Sequence, residues 1–233
     1  MQKRPLINAV IFDLDGTLLD SLRDIADAMN QGLADLGHPE HSIEAYLGFI
    51  GHGQDELVRR ALPEYYRKPN NIKNLSSLFR NYYERQCYAS TMPFPGILYM
   101  LQVAVSRKVK LGILSNKAHF FTKKMVSHFF RGAMLGHNSN PFRLSNGEQL
   151  GRPNKPDPTI ALEMLIKLKC KPPNAALVGD MPVDMKTAKN AGMIAIGAAW
   201  GYSSKQSLAD SGADMIFDSP SELARFLEVQ PLY

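Results

Sequence analysis

Two hydrophobic rhythms run along this 233-residue chain. The first is a set of short, near-continuous apolar runs. They are Ile7-Asn8-Ala9-Val10-Ile11-Phe12, Val109 to Leu114, Ala175 to Val178, Met193 to Ile196, and Met215 to Phe217. Such runs are expected of strands buried on both faces of a parallel sheet. The second rhythm has helical spacing. Leu98, Leu101 and Val105 share one face, as do Ile160, Met164, Leu165 and Leu168. Asp157 and Pro158 supply the start of the latter helix, as N-cap and first helical residue. Ala188 and Ala191 lie on another helix, which Gly192 ends. Strands alternating with helices predict an α/β fold with a doubly wound, Rossmann-like parallel sheet.

Between about Asp20 and Ser90 the alternation stops. Ser21 and Asp24 read as a capping-box-like helix start. Leu22, Ile25, Met29, Leu33 and Leu36 then mark one helix face, which Gly37 ends. Leu57, Val58, Ala61 and Leu62 mark a second helix, stopped by Pro63. Leu75, Leu78, Phe79, Tyr82 and Tyr83 mark a third. The expected organisation is a core of residues 1–19 and 91–233, with an all-helical module, residues 20–90, inserted after the first strand.

Composition narrows the class. Apolar residues make up 45% and charged residues 21%, values of an ordinary folded protein rather than a disordered or fibrous one. Lys and Arg total 27 against 22 Asp and Glu, a net charge of +5. The densest basic groups, Arg59-Arg60, Arg67-Lys68 and Lys123-Lys124, form no stripe with interleaved aromatics, so no nucleic-acid partner is expected. Attraction of small anions is. Met1-Gln2-Lys3-Arg4 has the charge of a signal n-region. The apolar stretch behind it ends early, at Asp13, without a small-residue cleavage site. No run approaches the ~20 apolar residues of a membrane span. Two cysteines, Cys87 and Cys170, build no disulfide framework, so a reducing cytoplasm is the expected setting.

Asp13-Leu14-Asp15-Gly16-Thr17 directly follows the first buried run. Ligands of open α/β sheets bind beyond the carboxyl ends of the strands, and Gly16 lets the chain turn away at once. A calcium-binding EF-hand loop does not fit, because its sixth position is Leu18 and its twelfth Asp24. Gly179-Asp180-Met181-Pro182-Val183-Asp184 follows another buried run and brings two more carboxylates to the same edge if the strands are neighbours. Four carboxylates there repel. Each pair ~4 Å apart costs roughly 4 kcal/mol at an effective dielectric near 20. A hard divalent cation with oxygen ligands meets that need, and Mg²⁺ suits a site shared with waters and a substrate phosphate. Ser115-Asn116-Lys117 ends the Val109 run, and Lys155-Pro156 precedes a helix. A transferring phosphoryl group needs such donors and such a cation.

The ordered set Asp-x-Asp-Gly-Thr, Ser-Asn, Lys-Pro and Gly-Asp-x-x-x-Asp resembles the four motifs of the haloacid dehalogenase superfamily. The likeness covers essentially the whole chain, and the inserted module resembles that family's helical cap. Gly51-His52-Gly53-Gln54-Asp55-Glu56-Leu57-Val58, Pro93-Phe94-Pro95-Gly96 and Leu114-Ser115-Asn116-Lys117 are similar to the phosphoglycolate phosphatase-like branch. Met181 stands where Ser or Thr is usual, a departure expected to matter little. Gly136 to Asn154 is longer than usual, and its Asn146-Gly147 pair predicts a surface hairpin.

The resemblance implies a mechanism. Asp13 is the nucleophile and forms an aspartyl-phosphate. Asp15 is the general acid and base. Mg²⁺ is held by Asp13, Asp180 and the Asp15 backbone carbonyl, with Asp184 behind them. Ser115, Asn116 and Lys155 bind the phosphoryl group, and Gly51, His52 and Gly53 in the cap read the leaving group. The implied activity is Mg²⁺-dependent hydrolysis of a small phosphorylated metabolite, 2-phosphoglycolate foremost, by a monomer or small homo-oligomer. A phosphosugar mutase, a pyrophosphatase and a sugar or nucleotide monophosphatase are the alternatives on this scaffold. A receiver-like phospho-switch fits poorly, since such domains lack a cap and carry adjacent acids after the first strand.

Overall fold

The computed structural model describes residues 6–131 and 140–229. Met1-Gln2-Lys3-Arg4 and residues 136–139 of the expected hairpin lie outside them. Six parallel strands form the main sheet: β1 (Ala9–Phe12), β4 (Lys110–Ala118), β5 (Phe142–Glu148), β6 (Ala175–Gly179), β7 (Ile194–Ala198) and β8 (Met215–Phe217), in the order β5-β4-β1-β6-β7-β8. The period of two along β1 separates its side chains. Val10 and Phe12 join one apolar cluster, Ala9 and Ile11 the other. Helices α4 (Ile97–Ser106), α5 (His119–Phe130) and α9 (Pro220–Glu228) contribute to the first cluster. Helices α6 (Thr159–Leu168), α7 (Pro182–Asn190) and α8 (Lys205–Asp210) contribute to the second. The sheet is thus covered on both faces, which is why its strands read as unbroken apolar runs.

A helical cap is inserted between β1 and β4. The chain leaves the core through β2 (Leu19–Asp20), runs through α1 (Leu22–Asp35), α2 (Gln54–Ala61) and α3 (Pro69–Gln86), and returns through β3 (Met92–Pro93). β2 and β3 pair antiparallel, Leu19 opposite Pro93 and Asp20 opposite Met92, so both connections are tied together.

The base of the cap departs from the expected capping box. The phenol oxygen of Tyr202, from the loop after β7, accepts from the first N–H groups of α1, Ser21 N at 2.9 Å and Leu22 N at 3.0 Å. The Ser21 hydroxyl is free to turn inward and donates to Asp15 Oδ1 at 2.5 Å. The buried Asp24 carboxylate faces the return strand and accepts from Ser90 N, Thr91 N and the Thr91 hydroxyl.

The Asn146-Gly147 pair, expected to turn a surface hairpin, lies instead inside β5, with Asn146 opposite Leu114 of β4. A Cβ on Gly147 would strike the Lys117 carbonyl oxygen, the Thr122 hydroxyl and His119 Cα. The glycine permits close backbone approach where β5 passes the corner between β4 and α5, a role of glycine inside strands.

Asp24 is the joint between the outgoing helix and the returning strand. Asp24→Ala is expected to destabilise the fold by about 2–4 kcal/mol, because it strands buried donors that now bond a charged acceptor. Urea unfolding measures this, and a loss below about 1 kcal/mol would contradict the assigned role.

Candidate active site

The carboxyl ends of three adjacent central strands, β4, β1 and β6, open onto one point, the place where ligands bind in open α/β sheets. Asp13 follows β1, and its N–H still donates to Val178 O of β6 at 2.9 Å. Asp180 follows β6, and Asp184 sits in the first turn of α7. Ser115 and Asn116 lie near the end of β4. Lys155 arrives from the loop between β5 and α6.

Asp13, Asp180 and Asp184 are buried, and each offers a carboxylate oxygen within 4.8 Å of the others. Small residues make this packing possible. Gly16 has φ +83°, and a Cβ there would strike the Asp180 carboxylate and the Tyr202 ring. A Cβ on Gly179 would overlap the Asp184 carboxylate. The three acids are unequally satisfied. Asp180 accepts from the Thr17 hydroxyl at 2.8 Å and Tyr202 N at 3.0 Å. Asp184 accepts from Lys155 Nζ at 2.6 Å and Met181 N at 3.1 Å. Lys155 Nζ stands 2.8 Å from Asp13 Oδ1, yet that buried oxygen receives no well-aligned hydrogen bond.

The electrostatics follow. Burial, opposed by Lys155 and reinforced by Asp184, pushes Asp13 up to about 6. Burial, with Asp13 and Asp184 beside it, pushes Asp180 well above the usual carboxylate range. Burial works against the Lys155 charge, but Asp13 and Asp184 outweigh it and hold that ammonium protonated more firmly than in water. With all three carboxylates ionised, they and the one ammonium carry a net charge of −2. One divalent cation neutralises it, and a cluster of carboxylate oxygens is the donor set that hard cations take. The residues present fit a metal.

Asp15 does not join the trio. Its carboxylate is held at 3.0 Å on both oxygens by Lys117 Nζ. Lys117 also donates to the Tyr83 hydroxyl of α3 at 2.7 Å. Lys117 is absent from the expected set, although it carries a signal: Ser115 and Lys117 are two residues apart on one strand and face the same way.

Asn116, expected among the phosphate-binding groups, spends its side chain otherwise. Its amide donates to Gly51 O at 3.0 Å and Lys155 O at 3.1 Å, and its carbonyl accepts from Lys155 N at 2.9 Å. It holds Lys155 and the cap loop in place. The Ser115 hydroxyl oxygen accepts from Lys117 N at 3.2 Å, which leaves its proton to donate.

The expected specificity loop divides. Gly51 and Gly53 line the cavity over the site, with φ of +94° and +92°. His52 does not. Its exposed side chain lies in an outer groove of the cap with Asp55, Glu56, Arg59 and residues of α3. The left-handed backbone on either side turns the imidazole away, which the sequence pattern does not reveal. Met181, expected to matter little, lines the cavity, and a Cβ on Gly51 would strike its sulfur. A second unexpected contact is Glu148, at the end of β5. It accepts from Gln54 N, the first residue of α2, at 3.1 Å and from the Asn154 amide at 2.6 Å. Core and cap therefore meet around the site in a closed arrangement.

A family model of haloacid dehalogenase-like hydrolases matches residues 10–198. A phosphoglycolate phosphatase of Aquifex aeolicus (strain VF5) is 31% identical over 222 residues, covering 95% of this chain and 97% of its own. One of Nitrosospira multiformis is 30% identical over 226 residues, covering 95% and 96%. The crystal structure of a predicted phosphoglycolate phosphatase from Haemophilus somnus 129pt superposes with a TM-score of 0.86 at 25% identity, over 96% of this chain and 99% of that one. A β-phosphoglucomutase from Clostridium difficile, 22% identical with a TM-score of 0.74 over 94% and 93%, shares the fold. The chain belongs to the haloacid dehalogenase-like hydrolases. Within them it falls in the phosphoglycolate phosphatase-like branch, an enzyme of the phosphoric monoester hydrolase class.

The outward position of His52 sets an expectation. His52→Ala should change kcat/KM by no more than about twofold, the scale of a surface substitution. Gly51→Ala should lower it clearly, because the side chain meets both an unfavourable φ and Met181. Steady-state kinetics on one phosphomonoester, with circular dichroism to verify folding, compares them. The reverse order would contradict this placement.

Proposed function

We propose that this chain is a Mg²⁺-dependent phosphatase acting on a small phosphorylated metabolite, 2-phosphoglycolate foremost, through an aspartyl-phosphate on Asp13. The observation that carries the reading is Asp13 itself: a buried carboxylate at the end of the central strand, beside Lys155, with one oxygen left without a well-aligned hydrogen bond. The other acids of the cluster are held by neighbours. Asp13 is the one poised to react.

In this reading Lys155 and Ser115 hold the phosphoryl oxygens. The Asp13 oxygen attacks phosphorus while the bond to the leaving oxygen breaks, and water later cleaves the acyl phosphate. Asp15 gives a proton to the leaving oxygen and then takes one from that water. Asp13, Asp180 and the Asp15 carbonyl, with Asp184 behind them, would hold Mg²⁺, which neutralises charge on the phosphoryl oxygens. Residues 20–90 act as the cap that excludes bulk water, over a core of residues 1–19 and 91–233. The space under the cap supports a small substrate: Asp13, Ser115 and Lys155 line it together with the cap residues Ile25, Leu57 and Phe79, so the leaving group sits directly between core and cap.

A phosphate-release screen over phosphorylated metabolites, run with wild type and Asp13→Asn, tests the reading. The variant should lose nearly all turnover while keeping its fold, because an amide forms no acyl phosphate. A variant retaining a tenth of wild-type turnover would remove Asp13 from the role.

Metal binding should depend on pH with a definite sign. Asp13 is raised to about 6 in the folded protein, above its unfolded value. Ionising it without a cation therefore costs stability as pH rises through about 6. A cation removes that penalty, and protons compete with it below. The rise in Tm on adding Mg²⁺ should accordingly shrink between about pH 7.5 and about pH 5.5. An equal rise at both would count against Asp13 as a ligand.

A further inference from the structure

Lys117 is held by three acceptors and lines the cavity beside Asp15. Its ammonium has three N–H donors. Two go to the Asp15 carboxylate and one to the Tyr83 hydroxyl. Its side chain is 8% exposed, and it lines the cavity together with Asp15 and Tyr83. The remaining cavity wall on that side is apolar: Ile25, Ile50, Leu57, Phe79 and Phe121. The cavity's other cation, Lys155, sits at the phosphoryl end between Asp13 and Asp184. The amide donors that line the cavity are largely committed. Asn116 gives both N–H groups to backbone carbonyls, and Gln54 gives one to the Ser76 hydroxyl at 2.5 Å.

From this arrangement we infer that Lys117 is the specificity-determining residue of the site. It selects phosphomonoesters whose leaving group carries a carboxylate one or two carbons from the bridging oxygen. The inference rests on the phosphatase reading above, in which Asp15 meets the bridging oxygen. Lys117 Nζ is within 3.0 Å of both Asp15 oxygens, so a group bonded next to the bridging oxygen comes within its reach. A carboxylate entering an apolar pocket needs a charged partner, since an unpaired buried charge is strongly disfavoured. Lys117 meets it by exchanging an acceptor: an N–H that now bonds Asp15 turns to the substrate carboxylate. Asp15 is not cast loose, because the Ser21 hydroxyl still donates to its Oδ1 at 2.5 Å. An uncharged leaving group offers Lys117 nothing in exchange.

The test compares 2-phosphoglycolate with ethyl phosphate. Both release an alkoxide and need the same acid, but only one leaving group is charged. Lys117→Met keeps the length of the side chain and removes the charge. Its loss of kcat/KM on 2-phosphoglycolate should exceed its loss on ethyl phosphate by about 10–100-fold, the worth of a hydrogen bond between charged groups. The excess should appear mainly in KM. Glycolate should also inhibit wild type and weaken as an inhibitor of the variant by at least about tenfold. Lys117→Gln, which can still hydrogen-bond Asp15, should show the same excess and serves if Lys117→Met does not fold.

Equal losses on the two esters would overturn the inference, leaving Lys117 as a positioning residue for Asp15. So would no loss on either, or a wild type that turns over ethyl phosphate as readily as 2-phosphoglycolate. Failure of the phosphatase reading looks different: Asp13→Asn would then match wild type on every ester that either protein hydrolyses.

Discussion

Three carboxylates and one ammonium are packed out of water at the carboxyl edge of the sheet. Like charges there repel strongly because solvent is excluded, and local structure is arranged around keeping them close. Gly16 and Gly179 withhold side chains where the Asp180 and Asp184 carboxylates lie, and Gly201 does the same beside Asp180. Thr17 and Tyr202 N tie down Asp180, and Met181 N ties down Asp184. What is left is an asymmetric cluster. Two acids are anchored by donors, and the third, Asp13, lines the cavity and has a buried oxygen beside Lys155 that lacks a well-aligned hydrogen bond. Fully satisfied carboxylates would be poor nucleophiles, and wholly unsatisfied ones would not stay folded and charged. The unequal distribution of hydrogen bonds sets Asp13 apart from the other two acids.

The same contacts couple the cap to the chemistry. Asn116 bonds the loop that carries Gly51 and the backbone that carries Lys155, so the cap and Lys155 share one amide. Lys117 bonds Asp15 on the core and Tyr83 on the cap. Glu148 accepts from the first N–H of α2, where the helix dipole favours a carboxylate. Opening the cap would break the cap-side bond of each set, to Gly51, Tyr83 and Gln54, and leave the bonds within the core in place.

The motifs could be placed from sequence because a parallel sheet brings the carboxyl ends of its strands to one edge. Once β1, β4 and β6 were recognised by their apolar runs, Asp13, Ser115 and Asp180 had to be near each other if the strands were neighbours, as they are. β5 escaped the same reading because an edge strand carrying Arg143, Ser145, Asn146 and Glu148 has no such run. Its Asn-Gly pair has the composition of a turn but serves close packing. His52 failed for a different reason. The direction of a side chain between two left-handed glycines depends on backbone angles that residue identities do not determine. Tyr202 and Glu148 act across 180 and 94 residues of sequence, so no local pattern points to them.

The fold does not separate a phosphatase from a phosphosugar mutase, since a β-phosphoglucomutase shares it. Charge balance in the cavity does favour one over the other. A mutase must hold a sugar bearing a second phosphate while the first is transferred, and that second dianion needs cations of its own under the cap. Among the described residues two lysines line the cavity, Lys155 beside Asp13 and Asp184 and Lys117 beside Asp15, so at most Lys117 is left to meet a second anion, and one ammonium balances a carboxylate better than a phosphate dianion. One such ammonium suits a single phosphoryl group on a leaving group with one small charged end.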